Sequence, residues 1–214
     1  IIESFPAMIP RSLNRAKHLL VPFHHSNFLN TVVTVKDTME RICYFGSKLD
    51  KNMWRIVMRF SVKHKIKAVI PKINDKSYGK CNAQSSLDLG SYIAEEMSNC
   101  DAAIVWNQCG SDSVCKLRKP FQRLLNHFSV GLPVIAYSGY SSNKYILDKV
   151  RYHHMTQDSG ELDSLLHDLL PRKTRSLLSR QALAASSDYD ISNITKVYVQ
   201  RICCDFEIDC YSYR

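Results

Sequence analysis

Apolar residues change their spacing several times along this chain, and each change predicts an element. Arg41 to Phe45 is a short apolar run that ends at Gly46-Ser47, a turn where backbone can approach a ligand closely. Met53, Ile56, Val57 and Phe60 then recur at helical spacing, and Ile66 to Ile70 is a second buried run, stopped by Pro71. Strand, helix and strand within about thirty residues form a βαβ unit, which implies parallel strands and a right-handed crossover. Lys72 to Gln84 reads as a polar loop carrying Lys72, Lys76 and Lys80. Gly90, Ile93, Ala94 and Met97 mark a helix, and Asp101 to Trp106 a third strand.

The stretch Arg118 to Tyr140 repeats this order in its clearest form. Phe121, Leu124, Leu125 and Phe128 make one apolar stripe of a helix with Pro120 in its first turn, while Arg123, Asn126 and His127 share the other face. Gly131 ends the helix, and Leu132 to Tyr137 is a continuous apolar run of the kind buried on both faces of a parallel sheet. A Ser138-Gly139 turn follows. Tyr145 and Ile146 lie on another short helix, and Tyr152 to Met155 reads as a fifth strand. Asp158 with Glu161 has the form of a capping box. Leu162, Leu165, Leu166 and Leu169 give an amphipathic helix stopped by Pro171. Helices from about Thr174 to Ala185 and from Ile191 to Ile202, the latter capped by Asp190, close the pattern. The repeated βα steps predict an α/β, Rossmann-like parallel sheet with helices on both faces.

Residues 1–39 differ: Pro6, Pro10 and Pro22 interrupt them, and only His18 to Phe23 reads as a strand. They are expected to be a linker, the remnant of a first domain. Residues 40–202 are expected to form the Rossmann-like domain, and 203–214 a cysteine-rich tail.

Composition narrows the function classes. The 214 residues are 45% hydrophobic and 23% charged, as in an ordinary globular protein, and can bury a substantial core. No apolar run approaches the roughly 20 residues that span a bilayer, and no signal peptide is evident. A soluble protein of the cytoplasm or of the secretory-pathway lumen is expected. The first residue is Ile, which leaves an upstream signal or anchor open. Lys and Arg outnumber Asp and Glu by 29 to 20, a net charge of +9 that biases the chain toward anionic partners. The excess is spread along the sequence, as solvated faces are. The eight cysteines include no C-x-x-C and match no zinc pattern. Reduced thiols are expected, although Cys109 with Cys115, and Cys203, Cys204 and Cys210, could be bridged in an oxidising compartment. The pairs His24-His25 and His153-His154 could reach a metal only through tertiary contact; no metal and no cofactor are expected. The sequon at Asn193 falls in a predicted helix and carries little weight.

Open α/β sheets bind ligands at the carboxyl ends of their strands. There the chain sets Gly46, Ser47, the basic residues Lys116, Arg118 and Lys119 of the loop after the third strand, Arg123 and Asn126 of the next helix, and Ser138, Gly139 and Tyr140. Cations beside helix amides suit a diphosphate, and Arg123 offers the bidentate geometry that Lys lacks. Ser138, Gly139 and Tyr140 could give backbone donors or stack on a base. The alternative for Arg123 is a surface position paired with a carboxylate such as Asp112. No P-loop, G-x-S-x-G or H-E-x-x-H is present.

The string KPFQRLLNHFSVGLPVIAY resembles the nucleotide-sugar-binding segment of GT-B glycosyltransferases, where a helix and an "xxGxPVI" strand flank the donor. C-D-A-A-I-V at 100–105 is similar to the strand before their donor loop, and residues 161–202 look like the closing helices of their second domain. The resemblance extends over roughly 40–202. It implies a nucleotide-activated sugar as substrate, transfer of that sugar to an acceptor, and a catalytic base from a first domain, here supplied by a partner protein if at all. The catalytic residues themselves stay unassigned. Many members present two glutamates eight positions apart, the second five residues before the strand's glycine. Arg118 and Asn126 stand there instead, so the chain has another donor-binding set or has lost activity. Asn126 could still bond a hydroxyl. A non-catalytic structural or interaction subunit is therefore the second reading. A basic nucleic-acid-binding module, motivated by charge alone, is the third.

Overall fold

The computed structural model describes residues 2–3, 19–20, 25, 27, 30–45, 49–70, 92–106 and 122–206. Its main sheet contains β3 (Arg41–Tyr44), β4 (Lys67–Val69), β5 (Ala102–Val105), β6 (Val134–Tyr137) and β7 (Met155–Thr156). All neighbours run parallel, in the order β4-β3-β5-β6-β7. A separate two-stranded ribbon pairs β1 (Ile2–Glu3) with β2 (Leu19–Leu20), also in parallel. Only those two residues of the strand expected over His18 to Phe23 lie among the described ones.

Helix α1 (Lys51–His64) starts where Asp50 accepts hydrogen bonds from the amides of Asn52 and Met53, at 2.8 and 2.9 Å. Met53, Val57 and Phe60 form its buried stripe, and Lys65, left-handed at φ 57°, ends it. The other helices are α2 (92–98), α3 (Gln122–Ser129), α4 (Ser141–Lys149), α5 (Leu162–Asp168), α6 (Arg172–Ser186) and α7 (Ile191–Phe206). Pro120 and Phe121, read as the start of α3, lie outside the described residues. Helix α7 continues beyond the expected Ile202 into the cysteine-rich segment, where Cys203 is disulfide-bonded rather than reduced; Cys43 and Cys100 are free thiols in the core.

Right-handed crossovers put α1, which returns toward β4, on the face opposite α3 and α4, which step toward β7. Packing agrees: α1 lies against α5, and α3 against α6. The core between them is Ile42, Ile104, Leu124, Leu125, Phe128, Val134 and Ile135, none with measurable exposure.

Strand β4 is shorter than the run Ile66 to Ile70 and only half-buried, because the strand order leaves it at the sheet edge. The fifth strand begins at Met155 rather than Tyr152. Tyr152 is instead fully buried at the foot of β6, where its hydroxyl donates to the Val134 carbonyl and accepts from the Val134 amide, at 2.9 and 2.8 Å. Only half of the capping box forms. Asp158 accepts from the Gly160 amide at 2.8 Å, but the Glu161 carboxylate takes the Thr156 hydroxyl rather than the Asp158 amide.

Residues 30–40 lie against this domain. The Val33 amide donates to the Val130 carbonyl at 2.7 Å. Arg175, wholly buried on α6, donates to the carbonyls of Lys36 and Asp37 at 2.8 and 3.0 Å and to those of Leu169 and Leu170. Asp101, just before β5, accepts from the amides of Glu40 and Arg41, both at 2.8 Å, and fixes the start of β3.

Candidate functional site

Strand order locates the site before any side chain does. The chain leaves β3 in one direction, toward β4, and leaves β5 in the other, toward β6, so the topological switch point, where open α/β sheets bind ligands, lies at the carboxyl ends of β3 and β5. Tyr44 and Phe45 end β3 and Trp106 follows β5. The Tyr44 hydroxyl donates to the Trp106 carbonyl at 3.1 Å and closes the floor between the two strands.

Helix α3 begins at this edge and presents one polar face to it. Arg123 is half-buried near Tyr44: burial raises the Tyr44 phenol, and the Arg123 charge opposes the rise. No carboxylate pairs with Arg123 among the described residues. One turn on, His127 is fully buried with its ring edge-on to Phe45, centroids 5.5 Å apart. Its Nδ1 lies 2.7 Å from the Arg123 carbonyl oxygen. A carbonyl only accepts, so Nδ1 carries the proton and Nε2 is left as an acceptor. That Nε2 has no partner among the described residues, nor has the buried indole Nε1 of Trp106. An orphan acceptor and an orphan donor thus flank the ends of β3 and β5. Desolvation holds His127 at a pKa of about 4, so the acceptor persists at neutral pH.

The β6 edge adds a second group. Tyr137 packs between Trp106 and Tyr140, with centroids 5.0 and 5.4 Å away. Its ring fills the space that a side chain at residue 139 would need, which explains Gly139. The Ser138 amide donates to the Thr156 carbonyl at 3.0 Å, so it extends the sheet instead of facing the switch point. Tyr140 is buried at 3% exposure, which leaves its ring no open face for a base. It also precedes α4, whose first turn receives no hydrogen bond from the Tyr140 side chain. Asn143 fixes the entry to that helix, its amide donating to the Tyr137 carbonyl at 3.0 Å.

Of the expected site residues, Arg123 and Asn126 lie one turn apart on α3, and Ser138, Gly139 and Tyr140 directly follow β6. Gly46, Ser47, Lys116, Arg118, Lys119 and Asp112 lie outside the described residues. Trp106 was legible only as a strand end, since its apolar neighbours gave no sign that its N–H would lack a partner.

A groove of about 360 Å³ lies at the opposite end of α3, lined by His25, Asn27, Ser129, Leu183, Asp190 and Asn193. Its shape invites a ligand but its chemistry does not. His25 Nδ1 accepts from the Asn27 amide at 3.3 Å and Nε2 faces Asp190 at 3.9 Å, so both ring nitrogens are engaged. Asn27 donates to the carbonyls of Thr31 and Ser129 at 2.8 and 3.0 Å, which makes the groove the seam between residues 25, 27 and 30–31 and the domain. Asn193 donates to the Ser187 carbonyl at 2.8 Å. His153 is exposed while His154 is buried and bonded to the Leu165 carbonyl at 2.9 Å, so that pair does not converge. Among the described residues no three His, Cys, Asp or Glu side chains converge as a metal site, and no helix is long and apolar enough to cross a membrane.

The fold recurs in solved structures. The crystal structure of WaaG, a glycosyltransferase involved in lipopolysaccharide biosynthesis, matches with a TM-score of 0.55 at 12% identity, over 86% of this chain and 56% of that one. The likeness is one of fold, and the chain is GT-B-like and Rossmann-like in architecture. It spans little more than half the length of that enzyme. No family model and no curated protein sequence matches the chain.

Proposed function

We propose that the chain binds a nucleoside-diphosphate sugar at the carboxyl edge of its sheet and takes part in transfer of the sugar to an acceptor hydroxyl. The observation that carries the reading is Arg123, a cation with no carboxylate partner among the described residues, on the helix after β5 and within electrostatic reach of Tyr44 at the end of β3. Its guanidinium would take two oxygens of the diphosphate, and the amides of Gly139 and the first turn of α4, which follow β6, would offer further donors. In the reaction the bond between the sugar's anomeric carbon and the phosphate oxygen breaks, and the acceptor oxygen takes its place. Arg123, with Lys116, Arg118 and Lys119 of the preceding loop, would stabilise the negative charge on the departing diphosphate. The acceptor's proton goes to a base from a first domain or a partner protein. Gly46 and Ser47 would give close backbone approach, and Asn126 would bond a hydroxyl of the donor.

A second reading is a non-catalytic descendant that serves as an interaction subunit. Asn126 and Arg118 favour it, since neither can act as the acidic ribose partner expected of that segment.

A thermal-shift screen of UDP, GDP, CDP, ADP and the matching nucleotide sugars tests the first reading, with Arg123→Ala and Lys119→Ala alongside. A melting rise for one base that is lost in Arg123→Ala supports it. A flat response from a cooperatively melting chain favours the second.

A further inference from the structure

Helices α1 and α5 meet through two histidines far from the switch point. His64 Nε2 lies 3.3 Å from His167 Nε2, with the ring centroids 5.0 Å apart and the planes at 84°. Phe60 packs against both rings, at 4.6 and 5.2 Å between centroids, and limits their rotation. His167 Nδ1 is 2.8 Å from the Asp163 carbonyl oxygen and 3.6 Å from Asp163 Oδ2. As that carbonyl can only accept, Nδ1 carries the proton and the His167 lone pair is on Nε2, the atom that faces His64. Lys63 Nζ lies 3.3 Å from the same Nε2, and His167 is 35% exposed, so the pair opens to solvent.

The separation of the two nitrogens has a specific meaning. In a tetrahedral zinc site with Zn–N of about 2.0–2.1 Å, two imidazole nitrogens stand roughly 3.3–3.4 Å apart. The Nε2 atoms already stand at that distance. A histidine that donates its other ring nitrogen to a carbonyl, with a carboxylate behind it, is the usual support for a metal ligand. We propose that His64 and His167 form a two-histidine site for a borderline divalent cation such as Zn²⁺, which clamps α1 to α5 and leaves two positions for water or a partner's ligand. Both imidazoles would bind as neutral tautomers through Nε2. Coordination requires the Lys63 ammonium, which donates to His167 Nε2 at 3.3 Å, to withdraw to solvent on its flexible stem.

The full chain, stripped with chelator, is melted with zinc chloride and separately with magnesium chloride, alongside His64→Gln and His167→Gln. Zinc at about 100 times its dissociation constant should raise the melting temperature by about 5 °C or more. Magnesium, which prefers oxygen ligands, should not. Each variant should melt cooperatively and lose the zinc response. Because free cysteines could also hold zinc, ¹⁵N imidazole spectra of the wild type provide a second readout. Substoichiometric zinc should move the Nε2 signals of His64 and His167 first. An undiminished zinc response in either variant, no response in the wild type, or first movement at other histidines overturns the proposal.

Discussion

The carbonyl of Arg123 holds the Nδ1 proton of His127, 2.7 Å away across one turn of α3. This contact fixes the tautomer of a fully buried imidazole and leaves its Nε2 as an acceptor behind Phe45. The residue that carries the proposed phosphate contact and the one that presents the orphan acceptor are therefore set by the same turn of helix.

Burial depresses His127 to about 4, whereas an unfolded histidine titrates near ~6.5. Between these values the unfolded chain binds the proton and the folded chain does not. The stabilising contribution is thus complete above about pH 6.5 and is lost as pH falls toward 4, by on the order of 3 kcal/mol. Burial lowers His154 as well, with the same sign. Urea unfolding at pH 7.5 and pH 4.5 should show a large drop in the wild type and a smaller one in His127→Gln. Equal drops would assign the pH dependence to other groups.

Gly131 adopts φ +69°, and a Cβ there would stand 3.0 Å from Leu183 Cγ and 3.1 Å from Ser179 Oγ, at the seam of α3 and α6. Gly131→Ala combines backbone strain with a clash and should cost about 2 kcal/mol, several degrees in melting temperature. An unchanged melting temperature would mean that α6 yields freely.

Arg175→Met should cost about 3 kcal/mol or more, because it leaves the carbonyls of Lys36, Asp37, Leu169 and Leu170 buried without their donor. Arg175→Lys should recover only part of that, since one ammonium cannot span two pairs of carbonyls. Chemical unfolding of the three proteins side by side gives the order.

Tyr152→Phe removes the group that satisfies both the amide and the carbonyl of Val134, at the cost of about 2 kcal/mol in chemical unfolding. A cost below about 0.5 kcal/mol would show that water replaces the hydroxyl.

The central elements were legible because their signals are local. Met53, Val57 and Phe60 specify the buried face of α1 without reference to the rest of the chain, and Val134 to Tyr137 are apolar because β6 is covered on both sides. Strand order is not local. The run Ile66 to Ile70 reads as buried, yet β4 sits at the edge. Arg175 illustrates a second limit, for an arginine in a helix reads as solvated while two of its acceptors are backbone carbonyls 138 and 139 residues upstream. His64 and His167 are 103 residues apart and carry no motif. At the candidate site, Arg123 and Asn126 could be placed on one helical face from spacing alone. That Tyr140 would be packed under Tyr137 and the Ser138 amide engaged by Thr156 depended on how β6, β7 and α4 meet, which no residue pattern states.

The central claim is that a nucleoside diphosphate binds at the switch point of the sheet. Amide chemical-shift mapping of the full chain, titrated with the nucleoside diphosphates in turn, tests it most directly. Saturable perturbations should cluster at Tyr44, Phe45, Trp106, Arg123, His127 and residues 138–143, and Arg123→Ala should weaken the affinity about tenfold or more. Perturbations confined to the groove around His25 and Asp190, or none with any base, would contradict it.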